Sequence, residues 1–120
     1  MPIPSVLIVD PSADTREVLR TVLARRGLRT IEADAAEQGL ELARIHRPDV
    51  IVLDDDATEA AEDRQTNEKF AAEASDDRSQ LIVLGKIRRD QSLARGHLIH
   101  KPYHFAPLIH TIERLAAKAV

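Results

Sequence analysis

Three charged side chains stand at the ends of short strand-like runs. Asp10 closes Val6-Leu7-Ile8-Val9, Asp54 closes Val50-Ile51-Val52-Leu53, and Lys101 follows His97-Leu98-Ile99-His100. Two carboxylates and a lysine in one place suit a divalent cation and a phosphoryl group. Mg²⁺ takes one or two carboxylates and keeps water or phosphate oxygens in its other positions. Asp54 would then be the nucleophile toward a phosphoryl donor, with cation and lysine neutralising charge in the transition state. Asp55 and Asp56 extend the acidic run after Asp54 and read mainly as solvated loop acids. The plainer alternative is that Asp54 caps the segment after it and Lys101 is an ordinary surface lysine. Agreement among three separate strand ends favours a pocket.

These side chains converge only if the runs are neighbouring strands of one sheet. Val6 to Val9, Val50 to Leu53 and Leu81 to Leu84 are continuously apolar, as expected of strands buried on both faces of a parallel sheet. Arg29 to Ala33 and His97 to His100 read as shorter strands. Between them the period changes to that of helices. Val18, Leu19, Val22 and Leu23 follow a Ser12 N-cap and stop at Gly27. Ala36, Leu40 and Ala43 follow Asp34 and Glu37, whose spacing matches a capping box, and Pro48 ends that helix.

From Ala57 to Ser75 the composition favours helix with little apolar periodicity. Between Gly85 and Gly96 there is room only for a short helix or a distorted turn. Leu108, Ile109, Ile112 and Leu115 mark a terminal amphipathic helix. Strand and helix alternate throughout, which predicts an α/β domain with helices on both faces of a parallel sheet. In such sheets ligands bind outside the carboxyl ends of the strands, near the switch in strand order.

Bulk properties narrow the function. The chain has 120 residues, expected to form a single domain over 1–120. Its net charge of −3, with both signs interspersed, provides no positive field to collect nucleic acid or an anionic membrane. Phe70, Tyr103 and Phe105 are the only aromatic residues, too few for a base-stacking platform. Cysteine is absent, which excludes disulfides, thiolate catalysis and cysteine-ligated zinc. His97, His100 and His104 raise the question of a transition metal, but strand alternation sends His97 and His100 to opposite faces. No apolar run approaches the roughly 20 residues of a membrane span. A cytoplasmic location is therefore expected.

The segment Val6 to Leu19, V-L-I-V-D-P-S-A-D-T-R-E-V-L, resembles the opening of response regulator receiver domains of two-component systems, the CheY-like superfamily. Pro48 to Asp54 is similar to the segment that ends in their phosphoacceptor, and Lys101-Pro102-Tyr103 to their Lys-Pro-aromatic step. The likeness runs through nearly the whole chain. It implies a doubly wound, flavodoxin-like (βα)5 fold of five parallel strands in the order 2-1-3-4-5, from which the short Gly85–Gly96 segment departs by leaving a shortened or irregular fourth helix. It further implies Asp54 as phosphoacceptor, Lys101 as the phosphate-pairing lysine, and Mg²⁺ held by Asp10, Asp54 and the main-chain carbonyl of Asp56. The implied partners are a sensor histidine kinase or phosphotransfer protein and a downstream protein, with a homodimer through the last strand and terminal helix as a further expectation. Direct nucleic-acid or membrane contact is not expected.

Three positions depart from the family pattern. Pro11 stands where a second acidic residue usually helps hold Mg²⁺, and one unit charge at about 4 Å is worth roughly 4 kcal/mol at an effective dielectric near 20. Weaker metal binding follows, unless Asp55 or Asp56 substitutes. Gly85 replaces a Ser or Thr whose hydroxyl moves toward the phosphoryl group, and Leu98 replaces an aromatic switch residue. Neither side chain can hydrogen-bond phosphate. Two readings follow: a phosphorylated receiver, or a degenerate receiver that acts as a phosphorylation-independent interaction module. An enzymatic use of the same rim, as phosphatase or nucleotide site, has no glycine-rich phosphate loop behind it. The chain is expected not to be an enzyme.

Overall fold

A computed structural model of the chain describes residues 3–54, 69–70, 72, 79–85 and 97–118. The apolar runs form the strands β1 (Ser5–Val9), β3 (Val50–Asp54) and β4 (Gln80–Gly85), joined by β2 (Arg29–Ala33) and β5 (His97–His100). Three helices accompany them: α1 (Ala13–Arg25), α2 (Ala36–His46) and α3 (Phe105–Lys118). The strands pair in parallel in the order β2-β1-β3-β4-β5.

Burial explains the order. Every residue of β3 is buried, and in β1 and β4 only the first residue is not, so these strands occupy the middle. The mixed sequences of β2 and β5 tolerate the edges. Side chains alternate between two cores. Val6, Ile8, Val50, Val52, Ile82 and Leu84 meet Leu19 and Leu23 of α1 and Leu108, Ile109, Ile112 and Leu115 of α3. Leu7, Val9, Ile51, Leu53, Leu81 and Val83 face Ala36 and Ala43 of α2 and Phe70. Each fully buried Leu, Ile or Val contributes about 1.5–3 kcal/mol relative to leaving it exposed.

The α1 signals act as expected. Ser12 Oγ accepts from the Thr15 amide at 3.2 Å, and Gly27 leaves the helix at φ +81°, a left-handed conformation that glycine adopts without steric cost. The apolar stripe of α1 is narrower than predicted: Leu19 and Leu23 are buried, whereas Val18 is 41% exposed.

The capping box expected at the start of α2 does not form. Ala35 is the N-cap, extended and without a side-chain cap bond, because the turn out of β2 carries the helix start one residue further on. Glu37 is then the second helical residue instead of the third, outside the reciprocal geometry of the box. At the other end, Arg47 closes the helix in a left-handed conformation (φ 48°) and donates its amide to Ala43 O, just before Pro48. Gly39 meets β1 closely: a Cβ there would lie 2.6 Å from Val9 Cγ2.

Of the helix expected over Ala57 to Ser75, residues 69, 70 and 72 are described and are helical, with Phe70 fully buried. The short fourth helix expected between Gly85 and Gly96 lies outside the described residues, as do Asp55 and Asp56. Among the described residues no helix is long and apolar enough to cross a membrane.

Candidate functional site

The register of the central strands brings the two acids together. Val9 pairs with Leu53 across β1 and β3, so Asp10 and Asp54 are the next residues on adjacent strands at the carboxyl edge of the sheet. Both are buried, at 3% and 5% exposure, which is rare for carboxylates without partners. Lys101 must cross the end of β4 to reach them. Its amide donates to Gly85 O at 3.0 Å, fixing the turn after β5, and its Nζ donates to Asp54 Oδ1 at 2.6 Å. Glycine at position 85 puts no side chain at the strand end that lysine passes. Asp10, Asp54 and Lys101 thus converge as the sequence predicts.

Asp10 is anchored at every polar group it carries on the main chain. Its amide donates to Ala33 O at 3.0 Å, and its carbonyl accepts from Arg16 Nη1 at 2.5 Å. One carboxylate oxygen accepts from the Ser12 amide at 2.8 Å. Burial pushes the Asp10 carboxyl up from 3.8 to about 6, opposed by the Ser12 amide and reinforced by the charge and the shared hydrogen bond of Asp54. Lys101 acts in the lowering direction. Two carboxyls this close compete for ionisation, and a cation or a shared proton relieves them.

Pro11 is exposed beside the pocket and adds no ligand. Leu98 is partly buried and packs toward the Leu7 and Val9 side of the sheet. Asp49, in the segment leading to Asp54, is at the opposite end of the sheet, where its Oδ2 accepts from the Ser5 amide at 2.8 Å. Among the described residues no group of three or more His, Cys, Asp or Glu side chains is disposed to hold a metal. The Asp56 carbonyl, expected as a further ligand, falls outside the described residues.

The sequence reading missed Arg16. From the first turns of α1 it reaches back to the Asp10 carbonyl, as helical side chains lean toward the N-terminus. Glu32 of β2 holds it, with Arg16 Nε 3.4 Å and Arg20 Nη1 2.9 Å from the Glu32 carboxylate. A charged residue in the middle of a short strand was the available signal. Tyr103, to which the sequence assigns no role beyond the Lys-Pro-Tyr step, is also within reach of the pocket's charge. Burial first, then Asp10 and Asp54, raise its phenol above the ordinary value, and Lys101 lowers it.

No family model matches the chain. Among solved structures, a CheY-like response regulator receiver domain from Methanospirillum hungatei superposes with a TM-score of 0.77 at 21% identity, covering 98% of each chain. The fold is that of receiver domains. A response regulator from Thermotoga maritima (TM-score 0.75, 19% identity, 97% of this chain and 99% of that one) has the same receiver architecture. In sequence, part of the chain is similar to the transcriptional regulatory protein AfsQ1 of Streptomyces coelicolor, 43% identical over 51 residues, 42% of this chain and 23% of that protein. The KDP operon transcriptional regulatory protein KdpE of Escherichia coli is 42% identical over 50 residues, 42% of this chain and 22% of its own length. Each match spans less than a quarter of the regulator. The acidic rim therefore sits on a fold shared with response regulators among the solved structures, in a chain partly similar to two transcriptional regulatory proteins.

Proposed function

We propose that this domain receives a phosphoryl group on Asp54 from a sensor histidine kinase or phosphotransfer protein and thereby alters a protein-binding face. The observation that carries the reading is the 2.6 Å Lys101–Asp54 contact beside the buried Asp10. An Asp54 carboxylate oxygen attacks the phosphorus of a phosphohistidine. The O–P bond forms, the P–N bond breaks, and the imidazole leaves with the electron pair and takes up a proton. Lys101 exchanges its carboxylate partner for a phosphoryl oxygen, keeping the added charge paired.

The donor set fits a hard cation: Asp10 and Asp54, with the main-chain carbonyl of Asp56, would hold Mg²⁺. When bound, the ion supplies positive charge to the phosphoryl oxygens. Pro11 leaves the site one carboxylate short of the family pattern, which weakens that binding. Acetyl phosphate with Mg²⁺ should give an acid-stable, base-labile adduct, detected as added mass and lost in Asp54→Ala. An unmodified parent protein would count against the reading.

A second reading is favoured by the same pair of groups. With Lys101 already paired with Asp54, and no hydroxyl at Gly85 or ring at Leu98, the acceptor carboxylate has a partner within the chain and the pocket lacks the usual moving parts. The domain would then serve as a phosphorylation-independent interaction module. Unimpaired partner binding by Asp54→Ala would favour this alternative. In either reading the domain is cytoplasmic, works by binding other proteins without turnover of a substrate, and pairs with a second copy through β5 and α3.

A further inference from the structure

The positions that the family resemblance assigns to switching carry no switch here, since Gly85 has no side chain and Leu98 is aliphatic. Another ring is next to the pocket. Tyr103 follows Lys101 by two residues, with Pro102 between them restricting the backbone. It is partly buried and packs against the core that α1 and α3 cover, the face opposite Leu98. Its ring meets Phe105 edge to face, with centroids 5.8 Å apart and planes at 83°, a favourable aromatic geometry.

Phe105 opens α3 and is 41% exposed. Together with Val22, Arg26, Ile109, His110 and Glu113 it lines a groove of about 350 Å³ between α1 and α3. The path from acceptor to groove is therefore short: Asp54, the Lys101 ammonium, the Pro102 link, the Tyr103 ring, the Phe105 ring.

We propose that Tyr103 reports the charge of the Asp10–Asp54 pocket in this chain and passes a change at Asp54 to the Phe105 wall of the α1–α3 groove, bypassing positions 85 and 98. Two physical effects drive it. The phenol lies in the field of both carboxylates, so its surroundings change whenever Asp54 gains or loses charge. Lys101 holds Asp54 directly, so a new partner for its ammonium moves the backbone that carries the ring. The cellular trigger rests on the acceptor function proposed for Asp54; the coupling from pocket to ring does not.

The chain contains one tyrosine and no tryptophan, so tyrosine emission from the intact protein reports on Tyr103 alone. Asp54→Asn should shift that emission, since neighbouring carboxylates quench phenol fluorescence by accepting its proton in the excited state. Glu41→Gln, the same charge change on exposed α2, should leave it unaltered. Asp54→Asn should also move the His110 ring resonances in NMR spectra. That movement should persist with Tyr103→Phe, which keeps the edge-to-face ring, and vanish with Tyr103→Leu in a protein whose thermal unfolding remains cooperative. Unchanged emission in Asp54→Asn, or a His110 shift that survives Tyr103→Leu, would overturn the proposal.

Mg²⁺ with beryllofluoride, followed by fluorine NMR, separates this proposal from the acceptor function. Bound beryllofluoride without a change in emission removes the relay and leaves the acceptor. Failure to bind, with emission still responding to Asp54→Asn, removes the acceptor and leaves the relay.

Discussion

Asp10 is held in an environment that favours its neutral form, and that preference makes stability depend on pH. Its carboxyl titrates near 6 in the fold against an ordinary value of 3.8, mainly because it is buried. Between those values the folded chain binds more protons than the unfolded one, so stability falls as pH rises through that window. The span corresponds to roughly 3 kcal/mol at most. In metal-free buffer, Asp10→Asn should be more stable than the parent at pH 7.5 and about equal to it near pH 4, as read by urea denaturation. The same difference at both pH values would contradict this account of the pocket.

Arg16 belongs to the same scale. Its guanidinium joins the Asp10 carbonyl to Glu32, and removing it leaves a largely buried acceptor without its charged donor. Arg16→Ala should cost about 1–3 kcal/mol, with only partial recovery in Arg16→Lys because an ammonium cannot fork to two acceptors in the same geometry. Urea midpoints of the two variants test this. Asp10 and Asp54 were legible in the sequence because each ends an apolar run, and Lys101 because it ends the last strand ahead of Pro102. Arg16 was not, because its contact with the site is through a main-chain carbonyl, which leaves no mark on residue type, and only its partner Glu32 in β2 pointed to it.

At the scale of elements, continuous apolar runs identified β1, β3 and β4 because burial on both faces demands them. The α2 start was misread for a local reason: Asp34 and Glu37 have the spacing of a capping box, but the exit from β2 fixes the first helical residue. Gly39 was equally hidden, since its role is to admit another element. Gly39→Ala should gain about 1 kcal/mol of helix propensity and lose more, about 1–3 kcal/mol, to overpacking. Val9 cannot swing aside easily, being β-branched and packed in a central strand. A net loss in urea-unfolding free energy is expected, and a stabilised Gly39→Ala would show that α2 shifts freely over the sheet.

At the scale of the whole molecule, strand order does what no single run can. Placing β1 beside β3 makes two acids 44 residues apart in sequence (54 − 10) neighbours at one rim. Composition indicated which strands were central, by their apolar content, but adjacency itself was implied only by family resemblance.

The Lys101–Asp54 bond joins β5 to β3 over the intervening β4, so this edge strand is fastened to the middle of the sheet by the same contact that the proposed phosphoryl group or cation would exchange. Fastening and occupancy are then one thermodynamic quantity. Solvent deuterium should enter the β5 amides faster in Lys101→Met than in the parent, with little change in β1, and mass spectrometry of the exchanged peptides would reveal a margin that loosens while the centre stays shut.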